Sequence, residues 1–529
     1  MRSFHQPGRS PVYAPHAMCA SSHPLATAAA VDVMRGGGNA VDAAIAASAV
    51  LAVVEHPMTG IGGDCFAMVA KPDGSLVALN ASGRAPAGAS YDALTSLGVS
   101  ELAMTSPHAV TVPGAIDGWC RLLADHGTWP LARLLAPAIS YARDGFPVAP
   151  RVQFDWHRSV EKLSVHEGAR QHLLFDGQAP AVGQMIRMPA LADTLDAIAC
   201  DGRDGFYAGT VGQDIVSELN ALGGVHTIDD FAAQSSSYVT PIAVEYQGLA
   251  IHELPPNNHG IVALIMLRML DRMGRLSNDP GAPERYHVMI ESARLAYGMR
   301  DRFVADPEMA DVPVDHMLSD ETIETLVSRV DRTCRTPDLA PMPEPAGSDT
   351  VYLSVVDADG MAVSFINSLF SAFGSGIVTR KSGVVLHNRG QGFRMDPTHP
   401  NCIAPRKRPM HTLVPAIATE NGQPVMSFGV MGAAFQPLGH VYVVTNMRDY
   451  GMDAQEALDF PRVFFEDDGR VMVEEGVSHA TTEALRVLGH DVGVREEPWG
   501  GGQIVQIDPQ SGVRIGASDP RKDGAALGF

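Results

Sequence analysis

The sequence predicts an α+β fold, and three observations carry the prediction. Val351 to Asp357 is rich in β-branched and apolar residues, Asp359-Gly360 supplies a turn, and Met361 to Asn367 resumes an apolar run. That pattern is a β-hairpin. A second hairpin is written into Phe66 to Ala70 and Leu76 to Asn80, which flank Pro72-Asp73-Gly74. Between the two hairpins, residues 113–230 are largely helical by periodicity, most clearly in HGTWPLARLLAPAISYARDGF and LADTLDAIACDGRDGFY.

In chain order, Pro24 to Met34 and Ala40 to Val54 read as Ala/Val-rich helices, with Gly36, Gly37 and Gly38 ending the first and Asn39 capping the second. Their apolarity on nearly every side implies burial on several faces. Gly60-Ile61-Gly62-Gly63 follows a helix rather than a strand and lacks a third glycine in register, so it is close backbone packing and not a dinucleotide fingerprint. Tyr246 through Pro256 returns to strand and turn. Helices are expected at His259 to Met273 and at Pro283 to Phe303, the latter half-exposed because Arg and Glu alternate with apolar residues. His252, His259 and His287 lie in these stretches without ligand-like spacing and read as structural histidines. Further on, Gly383 to Gly390 reads as a strand entering a Gly-rich loop. Pro405 to Ile417 reads as a loop feeding a strand, paired through Asn421-Gly422 with Pro424 to Val430. That strand runs into Met431-Gly432-Ala433-Ala434-Phe435 and a helix from Pro437 to Met447. A strand, a small-residue turn and a helix N-terminus offer backbone N–H groups to an anion.

Composition narrows the function classes. Of 529 residues, 45% are hydrophobic and 19% charged, which is ordinary for a globular protein, and the formal net charge of −21 argues against nucleic acid and anionic membranes as partners. Cys19, Cys65, Cys120, Cys200, Cys334 and Cys402 show no CxxC spacing, so reduced, mostly buried thiols are expected rather than zinc or disulfides. The first sixteen residues contain no apolar stretch of a secretory signal, and no run suits a transmembrane helix; cytoplasmic residence is the expectation. There is no internal repeat, and neither G-x-S-x-G nor H-E-x-x-H occurs.

The functional reading turns on one junction. Asp331 to Gly347, DRTCRTPDLAPMPEPAG, is a Pro-rich extended loop, and three residues later Thr350 opens the apolar strand. A chain cut before Thr350 would carry an N-terminal threonine. The stretch from Thr350 through Val378, with SVVDADGMAVSF and FGSGIV, together with GGGNAVDAAIA near the start and SDPRKDG near the end, resembles the γ-glutamyltransferase family of N-terminal-nucleophile (Ntn) hydrolases.

The resemblance implies a four-layer αββα sandwich and self-cleavage between Asp349 and Thr350. The products would be a large piece, 1–349, and a small piece, 350–529, which stay associated as one domain, leaving a dimer of the processed pair open. It implies Thr350 as nucleophile and, through its freed amine, as base. Ser368 would orient Thr350, and the N–H groups of Gly432 and Ala433 would form the oxyanion hole. No cofactor or metal is implied.

The pocket departs from the γ-glutamyl pattern. The Arg that would hold an α-carboxylate falls on Ser82, with Arg84 two residues on. An Asn becomes Phe370, a Gln becomes Arg389, an Asp becomes Gly392, and paired serines become His411 and Thr412. Losing an Asp and gaining an Arg removes an ammonium site and adds a carboxylate site. A small acid amide is therefore the expected substrate, with Arg389 as the clamp and His411 beside it. The segment NRGQGFRMDPTHPNCIAPRKRPMHTL is most similar to the branch of the family that contains oxamate amidohydrolase. A γ-glutamyl hydrolase or transpeptidase is the alternative enzyme, and an unprocessed binding protein the alternative class.

Overall fold

The computed structural model describes residues 8–337 and 350–529. Asp349, and residues 338–347 of the Pro-rich loop, lie outside the described residues.

Among the described residues, two seven-stranded, wholly antiparallel sheets face each other. One runs in the order Ala525–Gly528, Met18–Ser21, Val351–Val356, Ala362–Ser368, Asp64–Ala70, Leu76–Ala81, Ser237–Val239. The other runs Val12–Ala14, Arg514–Ser518, Gly501–Ile507, Gln423–Met431, Ala416–Glu420, Leu249–Glu253, Ile242–Tyr246. Strand periodicity sorts the side chains into layers. Tyr352, Val356, Ala362 and Ile366 point between the sheets, where they meet Phe66, Leu413, Ile417 and Val505. Val351, Leu353, Val355, Val363 and Phe365 point the other way, onto helices Pro24–Arg35 and Ala40–Val54. On the far side, Phe428 and Val430 pack under helices Ile261–Met273, Pro283–Phe303 and Gln436–Tyr450. The result is the four-layer αββα sandwich.

Local chemistry accounts for the elements. Asn39 and Asp42 form a reciprocal capping box on Ala40–Val54, an arrangement worth about 1 kcal/mol, and every residue of that helix is buried. The two hairpins form as the sequence dictates, with Val356 opposite Ala362 and Ala70 opposite Leu76. The helix expected from His259 starts at Ile261, and its C-terminal bound, Met273, is as read.

Two expectations are corrected. Helix Pro283–Phe303 is buried over most of its length rather than half-exposed, because its charged residues are paired inside. Arg285 donates to Thr445 and Asn446, and Arg294 meets Glu291 at 2.8 Å. Buried charges look identical to exposed ones in a sequence until their partners are known. Gly383 to Gly390 is not a strand either. Only Val385 and Leu386 make isolated bridges, to Val378 and Gly62, before a single 3-10 turn at Arg389–Gly392. Its apolar side chains fill the gap between the helical layer and the Gly62 backbone instead of extending a sheet. Of the six free cysteines, Cys19, Cys65 and Cys402 are buried, whereas Cys200 and Cys334 are exposed. No helix among the described residues is long and apolar enough to cross a membrane.

Candidate active site

Thr350 is 1% exposed and immediately precedes the strand Val351–Val356. The pairing of Val351 with Asn367 carries Thr350 to the level of Ser368, and their hydroxyl oxygens lie 3.1 Å apart. Ser368 also accepts the Phe370 N–H at 2.8 Å. Phe370 has φ of 79°, a left-handed conformation that bulky side chains rarely adopt. That backbone turn lays its ring against Arg389, whose guanidinium carbon stands 3.7 Å from the ring centroid. Arg389 is 1% exposed, and its Nη2 donates to Thr412 Oγ1 at 3.0 Å. A cation, an aromatic face and two hydroxyls are thus linked in one chain of contacts that ends on Thr350.

His411 is the Nε2–H tautomer by its partners: Nε2 donates to Asp64 Oδ2 at 3.0 Å, while Nδ1 accepts the Leu413 N–H at 3.3 Å. Burial first, then the charge of Arg389, push its pKa down to about 3. His411 is therefore a neutral ring with both nitrogens engaged, and Arg389 carries the positive charge here. The loop it belongs to is pinned from several sides. His259 Nε2 lies 3.1 Å from Thr412 O, Asn258 donates to Leu413 O, and Val414 N–H donates to Gln436 at 2.8 Å.

Arg84 stands apart from this group. It donates to both carboxylate oxygens of Glu308 at 2.9 and 2.8 Å and to Arg406 O at 3.0 Å, and lies 3.6 Å from Asp306. Its charge is balanced where it sits. Ser82 is fully buried and donates to Asn80 at 2.7 Å.

The Gly432 turn faces the same region from the other sheet. Ser354 donates to Ser427 O at 2.8 Å across the interior, and a methyl group built on Gly429 would come 2.5 Å from the Tyr352 ring. Continuing that period of two brings Thr350 to the level of Met431, where the strand ends. Gly432 and Ala433 then have φ of 130° and 46°, and helix Gln436–Tyr450 begins with no side-chain cap. Tyr297 steadies the turn by donating to Ala434 O.

The Gly62-Gly63 pair packs as expected. A Cβ on Gly62 would lie 2.2 Å from Val385 O and one on Gly63 2.2 Å from Ser368 O, so bare backbone supports both segments of the site. Gly392 is similarly constrained, with a built Cβ 2.6 Å from Met410 O. A cleft of about 750 Å³ beside Asp193, Asp214 and Arg380 contains none of these residues.

Two residues of the site were not singled out from the sequence, Asp64 and His387. Asp64 accepts the N–H groups of Gly83 and Gly114 at 2.9 and 3.0 Å, and His387 Nδ1 lies 3.5 Å from its Oδ2. Burial raises its pKa, but the His387 charge, the His411 hydrogen bond and the Arg389 charge outweigh it and hold the carboxyl below its usual value. The available signal was a lone carboxylate between two glycines and a continuous apolar strand, which must find buried partners.

Two facing antiparallel sheets between helical layers, with a strand-initial threonine at their interior, define the architecture of the Ntn hydrolases. The sequence model of the gamma-glutamyltranspeptidase family matches residues 26–529, and the chain belongs to that family. It is 36% identical to the glutathione hydrolase-like YwrD proenzyme of Bacillus subtilis, over 97% of this chain and 98% of that one. It is 35% identical to the oxamate amidohydrolase proenzyme of Klebsiella pneumoniae, again over 97% and 98%. Among solved structures, cephalosporin acylase from Bacillus halodurans superposes with a TM-score of 0.93 at 37% identity, covering 100% of this chain and 99% of that one.

Proposed function

We propose that the chain cuts itself before Thr350 and then hydrolyses a small carboxylate-bearing amide, with oxamate as the leading substrate. The observation that carries the reading is Arg389: a buried guanidinium, stacked on Phe370 and bonded to Thr412, one residue pair away from the Thr350–Ser368 contact. A buried cation of this kind is suited to a planar carboxylate, which it can grip with two parallel hydrogen bonds.

Cleavage of the Asp349–Thr350 bond would divide the chain into 1–349 and 350–529 and free the Thr350 amine. With a reference pKa of about 7.7–8.0, that amine takes the proton from its own Oγ1 near neutral pH. Oγ1 attacks the amide carbon, and the Gly432 and Ala433 N–H groups stabilise the oxyanion. The nitrogen leaves as ammonia, carrying the proton from the amine. Water then cleaves the ester, releasing the acid and restoring Thr350. Ser368 orients Oγ1 throughout.

The Klebsiella relative is named for oxamate, which is consistent with a pocket narrowed by Phe370. The γ-glutamyl alternative finds less support. An Asp at position 392 would press its Cβ on Met410 O, and Arg84 already serves Glu308. A screen of small amides for ammonia release by processed protein, with glutathione alongside, tests the proposal. Turnover of glutathione in preference to every acid amide would reverse it.

A further inference from the structure

The chemistry proposed for Thr350 and Arg389 makes no use of the buried carboxylate between them. Asp64 is 1% exposed and directly opposite Ser368 in the sheet. Its Oδ2 receives His411 Nε2–H at 3.0 Å and stands 3.5 Å from His387 Nδ1. His411 immediately precedes Thr412, the hydroxyl partner of Arg389, and His387 stands two residues before Arg389 itself. Both segments that hold the guanidinium therefore converge on one carboxylate. The contacts close a ring: Thr350 to Ser368, Ser368 to Phe370, Phe370 to Arg389, Arg389 to Thr412, His411 to Asp64, and Asp64 back to Ser368 through the ladder.

We infer that Asp64 is a positioning residue for acid-amide selectivity: through the His411 ring it fixes the segment whose Thr412 hydroxyl holds Arg389. This rests on the reading of Arg389 as the carboxylate clamp. The hydrogen bonds to Asp64 come from backbone N–H groups and the His411 imidazole, and the Arg389 guanidinium lies beyond them. The remaining nitrogen of His411 is also committed, accepting the Leu413 N–H at 3.3 Å, whereas His387 is held through its Nε2, 2.9 Å from Thr111 O. The His411 ring cannot turn without moving its segment.

Asp64→Asn keeps the shape and an acceptor for Gly83 and Gly114. It also sets an NH2 group against His411 Nε2–H, donor against donor, and the other His411 tautomer would then oppose the Leu413 N–H. The 411–413 segment must shift, and Thr412 with it.

The test compares oxamate with oxamide, its neutral diamide, each as substrate or, where turnover is slow, as competitive inhibitor, on processed wild type, Asp64→Asn, Arg389→Ala and the double variant. Asp64→Asn should lower the oxamate-over-oxamide preference about tenfold through the oxamate KM, with kcat changed by less than about threefold, and add nothing to the loss in Arg389→Ala. Wild-type preference in Asp64→Asn, alongside lost preference in Arg389→Ala, would overturn this inference and leave the clamp standing. Equal losses on both amides would make Asp64 a structural support only and overturn it too. Wild-type preference in Arg389→Ala would remove the clamp itself. If Asp64→Asn fails to fold or process, His411→Asn is read instead: a preference reduced about fivefold supports the inference, and a retained one overturns it.

Discussion

The hydroxyl oxygens of Thr350 and Ser368 lie 3.1 Å apart, and the Ser368 oxygen also accepts the Phe370 N–H at 2.8 Å. A hydroxyl can both donate and accept. Ser368 can hold Thr350 Oγ1 in one rotamer whether that atom is protonated or charged. Ser368→Ala should lower kcat by about 2- to 13-fold, the equivalent of roughly 0.5–1.5 kcal/mol for one net hydrogen bond. Steady-state kinetics at saturating amide checks it, and an unchanged kcat would remove Ser368 from the proposed machinery.

If the chain cuts itself as proposed, processing should require the Thr350 hydroxyl. Thr350→Ala should remain a single band on a denaturing gel, while Thr350→Ser should still split into two. Splitting of the alanine variant at that bond, without added protease, would falsify self-cleavage by Thr350.

Arg389→Ala should raise the KM for oxamate or a similar acid amide strongly, since truncating one partner of a buried charge pair costs roughly 2–5 kcal/mol. Self-cleavage should be unaffected. Arg389→Lys should recover only part of the loss, because an ammonium keeps the charge without the planar fork. Equal KM values across the three proteins would move the clamp elsewhere.

Gly63→Ala places a Cβ against Ser368 O, a distance of 2.2 Å before relaxation. The strand end must move, at a cost of about 1–3 kcal/mol. A lower urea midpoint together with slower processing is expected, and a wild-type midpoint would show that the glycine is dispensable.

Acid should destabilise the fold. His56, His226 and His411 are buried, and burial is the main cause that pushes them from 6.5 to about 4, 4 and 3. Between those values and 6.5 the folded protein binds fewer protons than the unfolded chain, so this stability is fully present above 6.5 and is lost as pH falls. At pH 5 each histidine forfeits about 2 kcal/mol. Glu55 acts in the opposite direction: burial raises it from 4.5 to about 7, so its proton stabilises the fold on the acid side. Three histidines outweigh one carboxyl, and the urea midpoint should be lower at pH 5 than at pH 7. An equal or higher midpoint at pH 5 contradicts this.

The sequence announced what depends on neighbours close in the chain. Hairpins, the Asn39 cap and the turn before helix Gln436–Tyr450 are local matters of propensity and backbone chemistry, and they form where the residues place them. Arg389 and Phe370 could be paired only through family resemblance, since their contact joins two loops. Asp64 stayed hidden because its meaning is its partners: His387 and His411 lie more than 300 positions away. The same non-locality bears on helix Pro283–Phe303, whose Arg285 looks solvent-facing until Thr445 and Asn446 are found beside it.

Each sheet is woven from both sides of position 350. In one, Val351–Val356 and Ala362–Ser368 run between Met18–Ser21 and Asp64–Ala70; in the other, Val12–Ala14 and Leu249–Glu253 flank strands from the C-terminal part. Severing the backbone at 349 would thus release no module. The two fragments share both sheets, so parting them means unzipping the sheets and exposing the interior, the same transition as unfolding the whole. The sheets would therefore hold the two pieces together after the proposed cut, and reactivity at Thr350 could change while the scaffold around it keeps its shape.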